Sequence, residues 1–466
     1  MAHHDVRIEE SMFREYDIRG RANDKELNPR STEIIGKAYG TFLKARDIGT
    51  VVVGHDSRHS SVGLKDGFIK GVLSTGRDVI DLGMILTPMM YWAQYHFDSK
   101  GGAMITGSHN PKDWNGLKLA SGLSYTLIGD EIRGLLADIK KGEFAEGKGT
   151  VRNETILEQY AEDLAGRVTM KTPLRVVLDT GNGTAGAVAP YVLRNAGLDV
   201  IEQFTELDPD FPNHEPDPAL KTTVEALGKR VREEKADFGI ALDGDGDRLG
   251  VVDEKGEVIW PDRYMILLAR QVLQKQPGAK IVFDVKVSQA LEEDIAAHGG
   301  QPIMWKTGHS HIKAKLHKEK AALAGEMSGH IFFVENYYGF DDGVYSGLRF
   351  AEYVSQVAKP LSEIIAGTPY YVSTPTIDVD CPDGVKYGIV DKLTEELKRD
   401  FDKVVDINGA RVMFDDGWGL VRASSNLPIL VLRFEAKTQE RLEEIKALFR
   451  SYMDKYPEIG KTWHNE

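Results

Sequence analysis

Thr106-Gly107-Ser108-His109-Asn110-Pro111 follows a short apolar run, Ala103-Met104-Ile105, so a small hydroxyl is held on a tight loop at the end of a predicted strand. Far along the chain stands Asp243-Gly244-Asp245-Gly246-Asp247-Arg248, where glycines let a compact turn aim three carboxylates at one point. Hard oxygen ligands of this kind suit Mg²⁺, which takes a few carboxylates together with a phosphate oxygen. A phosphorylated serine carries about −1.5 to −2 charges and three acceptor oxygens, and it needs a cation nearby. The two loops together point to phosphoryl transfer, with Ser108 as nucleophile or phosphate carrier.

Each loop has rival readings. Gly102 to Ser108 has the spacing of a nucleotide P-loop, but His109 follows the serine and no lysine stands where it would reach the phosphates. The Asp loop begins like a calcium-binding EF-hand, with Glu254 at its twelfth position. Arg248 occupies the sixth, where a glycine is needed, and strand-like runs flank the loop in place of helices. Gly181-Asn182-Gly183-Thr184-Ala185-Gly186 is a full dinucleotide-fingerprint match, with Glu202 about where a ribose-binding acid belongs. It makes an NAD-dependent oxidoreductase the rival from another class; the plainer reading is that glycines turn a strand sharply into its helix.

Four further segments carry usable side chains. Gly325-Glu326-Met327-Ser328-Gly329-His330 offers a carboxylate and a hydroxyl for sugar hydroxyls, and an imidazole that titrates near neutrality. Lys306-Thr307-Gly308-His309-Ser310 is a similar polar loop, and Lys286 stands alone after Asp284-Val285. Arg422-Ala423-Ser424-Ser425-Asn426 clusters a guanidinium with hydroxyl and amide donors, a set that suits a phosphate dianion. Phe13 to Gly20 adds a charged, aromatic loop containing Tyr16 and Arg19.

The elements that must position these loops alternate between strand and helix. Thr50 to Gly54, Asp78 to Gly83, Gly102 to Thr106 and Leu117 to Ala120 are predicted strands; residues 60–74 carry Val62, Leu64, Phe68, Ile69, Val72 and Leu73 at helical spacing. Thr87-Pro88 opens a helix with a capping hydroxyl and a first-turn proline. The pattern restarts at Leu174 to Asp179 and again at Lys280 to Asp284, and Phe238 to Leu242 feeds the Asp loop. The reading is three α/β units with mixed, mainly parallel sheets, 1–153, 154–256 and 257–368, and a C-terminal α+β domain, 369–466. Asp208 to Pro216 is a proline-studded loop whose role the sequence leaves open.

Bulk composition bounds the function. A chain of 466 residues exceeds one compact core and divides into several domains. A formal charge of −14 argues against nucleic acid as a partner, so an anionic substrate must be drawn by a local group of cations. Cys381 is the one cysteine, which rules out an internal disulfide and fits a cytoplasmic, reducing location. No run approaches the ~18–20 apolar residues of a membrane span.

Taken in order, the loops TGSHNP, DGDGDR, GEMSGH and the C-terminal phosphate loop, with FREYDIRG and KTGHS, resemble the α-D-phosphohexomutase family along nearly the whole chain, most closely its bacterial phosphomannomutase/phosphoglucomutase branch. The resemblance implies four domains arranged round a central cleft. It also implies an enzyme that interconverts hexose 6-phosphate and hexose 1-phosphate through a phosphoserine and a hexose 1,6-bisphosphate, which serves as intermediate and activator. Carried over residue by residue, Ser108 is the phosphoserine, and Ser108, Asp243, Asp245 and Asp247 hold Mg²⁺. Lys118 and Arg19 lie at the phosphoryl group, and His330 is a candidate acid/base. Tyr16, Arg248, Lys286, His309, Glu326, Ser328, Arg422, Ser424, Ser425 and Asn426 contact the sugar phosphate. Met327 resembles mannose- and glucose-handling members, whereas glucosamine mutases tend to carry glutamine there. A phosphoglucosamine mutase and a metal-dependent phosphatase remain alternatives. Ser424-Ser425-Asn426 departs from the commoner Ser-Gly-Thr or Ser-Asn-Thr, and oligomeric state, monomer or dimer, is left open.

Overall fold

The computed structural model describes residues 8–425 and 427–465, so Asn426 lies outside the described residues. The chain forms two compact units, Met1–Pro261 with Ser328–Ile364, and Asp262–Met327 with Ile365–Glu466.

The first unit is built on two sheets. One has six strands in the spatial order Ile18–Arg21, Trp114–Ser121, Gly101–Ile105, Thr50–His55, Asp78–Met84 and Val151–Asn153. Thr50–His55 runs parallel to Gly101–Ile105 and to Asp78–Met84, whereas Trp114–Ser121 returns antiparallel to Gly101–Ile105 with Lys118 opposite Met104. That register sets the lysine close to where the chain leaves the strand for the serine loop. Helices Pro29–Lys44 and Ser61–Leu73 cover a core of Ile35, Tyr39, Leu64, Phe68 and Val72 against Val51 and Val53. Val62, expected on the apolar face, is 52% exposed.

The second sheet holds Val258–Ile259, Leu249–Asp253, Phe238–Leu242, Arg175–Asp179 and Asp199–Gln203 in that order. Phe238–Leu242 and Leu249–Asp253 are antiparallel, with Leu242 opposite Leu249, so residues 243–248 are the connection of a hairpin. Strands on both sides exclude the EF-hand geometry, and Glu254 instead accepts from Ser362 N at 3.0 Å and from the Ser362 hydroxyl at 2.5 Å. Helix Gly343–Val357 is buried along nearly its whole length in this unit, its Phe350 ring against Phe238.

In the second unit Gln301–Trp305, Lys280–Asp284 and Leu323–Gly325 are parallel neighbours. Their following loops, which carry Lys306 to His309, Lys286 and Glu326, therefore leave from one edge, the place where open parallel sheets bind ligands. The C-terminal sheet is antiparallel throughout, with Val372–Ser373, Ile429–Ala436, Gly417–Ala423, Ala410–Phe414 and Val404–Val405 in order and Ile377–Asp380 also on Ile429–Ala436. Helices Asp383–Asp400 and Gln439–Met453 close its core. Arg422, expected in a loop between strands, lies inside Gly417–Ala423 near its end. No helix among the described residues is long and apolar enough to cross a membrane.

Candidate active site

Ser108 follows the strand Gly101–Ile105 at φ +51°, a left-handed conformation that costs a non-glycine residue roughly 1–2 kcal/mol. The loop is held against that strain. Thr106 Oγ1 accepts from Ser108 N at 2.8 Å, and Asp56 Oδ2 accepts from Gly107 N at 2.9 Å. The buried Arg58 guanidinium donates to the carbonyls of Ser108 (2.8 Å), Asn110 (2.6 Å), Pro111 (2.6 Å) and Trp114 (3.1 Å). So fixed, the Ser108 hydroxyl donates to Asp243 Oδ2 at 3.1 Å and lies 3.2 Å from His109 Nδ1. Burial, with Arg248 and Arg19 nearby, pushes the His109 pKa well down, so its ring is uncharged.

Asp243, Asp245 and Asp247 are all fully buried, with one carboxylate oxygen of each lying within 4.8 Å of the others. Burial and the charges of Asp247 and Asp245 push the Asp243 carboxyl well above its ordinary range. Asp245 is also penalised by burial, but the Lys118 charge and the Lys118 and Thr87 hydrogen bonds outweigh that and hold it far below. Its Oδ2 accepts from Lys118 Nζ (2.8 Å), the Thr87 hydroxyl (2.6 Å) and the Thr106 hydroxyl (3.1 Å). Lys118 Nζ also donates to Asp247 Oδ2 at 2.6 Å; burial opposes its charge, yet the two carboxylates keep its pKa well above normal. The Thr87 hydroxyl, expected to cap its own helix, caps nothing and serves the Asp loop instead.

The three buried carboxylates face the Lys118 ammonium, and Arg248 Nε lies 3.8 Å from Asp243 Oδ2. Asp245 Oδ1 and Asp247 Oδ1 are buried and accept no hydrogen bond among the described residues. An all-oxygen donor set with two orphaned oxygens fits a hard divalent cation such as Mg²⁺.

Cations ring this centre. Arg19 donates to Gly107 O (2.9 Å) and, through Nε and Nη2, to Asp17 Oδ2 (3.0 and 2.6 Å). Arg248 Nε donates to His330 Nε2 at 3.1 Å. His330 Nδ1 lies 3.0 Å from Asp341 Oδ2 and 3.5 Å from Asp247 Oδ1, so the ring carries its proton on Nδ1 and leaves Nε2 as the acceptor. Thus Ser108, Lys118, Arg19, Arg248, His330 and the Asp trio meet in the first unit. Tyr16 is buried there and Ser328 half-buried. Arg58 and Asp341 were not singled out from sequence, and Thr87 was read only as a helix cap. Arg58 alone had a signal, since it follows a strand neighbouring and parallel to the one that ends at the serine loop.

The second unit gathers another set. Asp284 Oδ1 accepts from Met327 N (3.1 Å) and Oδ2 from the Thr307 hydroxyl (2.8 Å), and Glu326 Oε1 accepts from Gly308 N (2.5 Å). These bonds tie the Lys286, His309 and Glu326 loops together. Lys286 Nζ has Asp284 Oδ2 at 3.7 Å; burial, reinforced by Arg422 and Arg433 against Asp284, pushes its pKa down. Arg422 and Ser424 are buried and Ser425 half-buried on the C-terminal sheet.

The dinucleotide reading fails on geometry. Glu202, its ribose-binding acid, is bound to Arg194 Nη2 (2.7 Å) and the Thr205 hydroxyl (2.6 Å). A Cβ on Gly183 would meet Gly244 Cα at 2.8 Å, and Thr184 N donates to Gly244 O at 3.0 Å, so the glycine turn backs the Asp loop. The loop Asp208 to Pro216 does likewise. Pro216 O accepts from Gly244 N (3.1 Å), and His214 Nε2 is anchored 3.1 Å from Asp179 Oδ1.

Comparison with known proteins is consistent along nearly the whole chain. Residues 10–146, 158–256 and 260–371 match the α/β/α domains I, II and III of phosphoglucomutase/phosphomannomutase, and residues 377–451 match its C-terminal domain. The chain is 43% identical over 443 residues to a phosphomannomutase/phosphoglucomutase of Pseudomonas aeruginosa, covering 95% of each. It is 40% identical over 458 residues to a phosphoglucomutase of Neisseria gonorrhoeae, covering 97% of this chain and 98% of that one. A crystal structure of a phosphoglucomutase/phosphomannomutase family protein from Burkholderia thailandensis superposes with a TM-score of 0.91 at 40% identity, covering 96% of this chain and 98% of that one.

Proposed function

The chain belongs to the phosphoglucomutase/phosphomannomutase family of α-D-phosphohexomutases, and on that premise we infer that it interconverts hexose 1-phosphate and hexose 6-phosphate of mannose and glucose. It is an isomerase that works by phosphoryl transfer. The observation that carries the mechanism is the 3.1 Å bond between the Ser108 hydroxyl and Asp243, beside Asp245, Asp247 and Lys118.

In the proposed cycle Ser108 carries the phosphoryl group. The free hydroxyl of the sugar monophosphate attacks phosphorus and the Ser108 Oγ–P bond breaks, leaving a hexose 1,6-bisphosphate. That intermediate presents its other phosphate, Ser108 Oγ takes it back, and the isomeric monophosphate leaves. Ser108, Asp243, Asp245 and Asp247 are the residues that would hold Mg²⁺, which when bound neutralises phosphoryl charge as a Lewis acid.

Lys118, Arg19 and Arg248 supply fixed positive charge where the transferring oxygens gather charge, and need no reorganisation during the step. His330 Nε2 is the acceptor for the attacking hydroxyl's proton once Arg248 turns to the phosphate, and Asp341 and Asp247 stabilise the imidazolium that results. Glu326, Ser328 and His309 hold sugar hydroxyls. Lys286, Arg422, Ser424 and Ser425 hold the phosphate that is not reacting, and Asn426 is assigned to the same group. The proposed compartment is the cytoplasm, where the lone thiol Cys381 stays reduced.

Ser108→Ala is predicted to abolish isomerisation of glucose 1-phosphate while leaving sugar-phosphate binding within about threefold of wild type. Full activity in that variant contradicts the scheme, release of inorganic phosphate by the wild type would make the protein a phosphatase, and a preference for glucosamine phosphate would shift the assignment to its rival mutase.

A further inference from the structure

Two buried arginines of the C-terminal sheet take the backbone of the Lys286 loop. Arg411 Nη1 donates to Val285 O at 2.8 Å and to Val287 O at 2.9 Å, and Arg433 Nη1 donates to Lys286 O between them. Three consecutive carbonyls are thereby fixed from a segment more than a hundred residues away. Each guanidinium is itself locked. Arg411 is fully buried and stacks 3.7 Å from the centre of the Trp418 ring. Arg433 is 2% exposed, pairs with Asp262 Oδ2 at 2.7 Å, and has Met327 Sδ 2.9 Å from its Nη1. Glu435 Oε1 closes the seam by accepting from Gln289 N (2.9 Å) and Trp418 Nε1 (2.8 Å).

Stability alone does not call for this arrangement. Burying a guanidinium carries a large desolvation cost, and a well-packed apolar side chain would join the same surfaces as firmly. What arginine adds is direction: a planar fork fixes both the place and the angle of the carbonyls it binds. The loop so fixed carries Lys286, whose buried ammonium feels Arg422 at the end of the adjoining strand. Lys286, with Asp284 Oδ2 at 3.7 Å, and Arg422 form a group of cations of the kind that suits a dianion.

We propose that Arg411 and Arg433 are positioning residues which fix Lys286 to the sheet bearing Arg422 and Ser424, making one preformed clamp for the non-reacting phosphate. Arg433 also sets Met327, so the same residue couples the phosphate clamp to the sugar loop. The inference rests on the reading of Lys286 as a substrate contact given above.

A double-mutant cycle tests it, with glucose 1-phosphate as substrate. Asp262→Asn with Arg433→Met removes both buried charges together, so no lone ion is left to unfold the protein. This pair is expected to raise KM at least about tenfold with a smaller change in kcat, because misplacing a binding group by about 1 Å has effects of this size. In a Lys286→Ala background the same pair should change KM less than about twofold, since coupled residues are non-additive. Arg411→Lys keeps the charge but loses the fork, and should follow the same pattern independently of Asp262. If the KM effects multiply in full in the Lys286→Ala background, the arginines act only through stability and the proposal is overturned. If Lys286→Ala alone has the wild-type KM, the assignment of Lys286 falls, and this inference falls with it.

Discussion

Asp245 concentrates the electrostatic argument. One of its oxygens is taken by Lys118, Thr87 and Thr106, and the other is buried and accepts no hydrogen bond among the described residues. A divalent cation is the simplest completion of that half. Asp245→Asn is therefore expected to raise the Mg²⁺ concentration for half-maximal activity at least about tenfold. Chelation should abolish turnover in the wild type, and Mg²⁺ should raise its melting temperature. Unchanged activity after exhaustive chelation would remove the metal from the account. At this scale the sequence was readable wherever the chemistry lay in one short loop, as in residues 106–111 and 243–248. It was not readable where a side chain reaches a distant backbone. Arg58 binds three carbonyls of the serine loop and that of Trp114 just beyond it, yet nothing within Val53 to Arg58 announces that reach. Thr87 was misread for the same reason: its local context is that of a helix cap, and its partner is 158 residues away.

Between residue and domain, the elements behind the Asp loop decide whether its carboxylates converge. Gly183 packs so closely on Gly244 that a methyl group must push the loop away. Gly183→Ala should weaken Mg²⁺ activation and lower kcat, and neither variant nor wild type should bind NAD in a titration. An unchanged Mg²⁺ dependence would show that the glycine turn is not a support for the site. His214 pins the neighbouring loop to Asp179. Burial opposes its charge, but the hydrogen bond and charge of Asp179 prevail and raise its pKa. A raised folded-state pKa gives stability that is fully present below the unfolded value of ~6.5 and lost as pH rises through the folded value. Wild type should thus exceed His214→Gln by roughly 1–2 kcal/mol at acidic pH, with the gap shrinking toward alkaline pH in denaturant titrations; a gap that widens with pH contradicts the pairing. Strands Phe238–Leu242 and Lys280–Asp284 were legible to the residue because each is a short apolar run next to a turn. Gly417–Ala423 was missed because its glycines dilute the strand signal. Gly343–Val357 was missed because a helix buried on all sides has no polar face to mark its period.

For the molecule as a whole, an acidic chain of formal charge −14 keeps Lys118 and Arg422 buried, with Arg19, Arg248 and Lys286 half-buried. Lys118 is held by carboxylates in one unit, and Lys286 is grouped with Arg422 in the other. Each unit is assembled from two separate stretches of chain, and buried contacts such as Arg433 with Asp262 join the two stretches of the second, a pairing that no local pattern in the sequence announces. The central claim, that Ser108 is the phosphoryl carrier, is tested most directly by intact mass measured before and after incubation with glucose 1,6-bisphosphate and Mg²⁺. The account predicts a gain of one phosphoryl group, mapped by fragmentation to Ser108 and absent from Ser108→Ala. A protein that gains none from an unphosphorylated start, or that carries it on another residue, contradicts it.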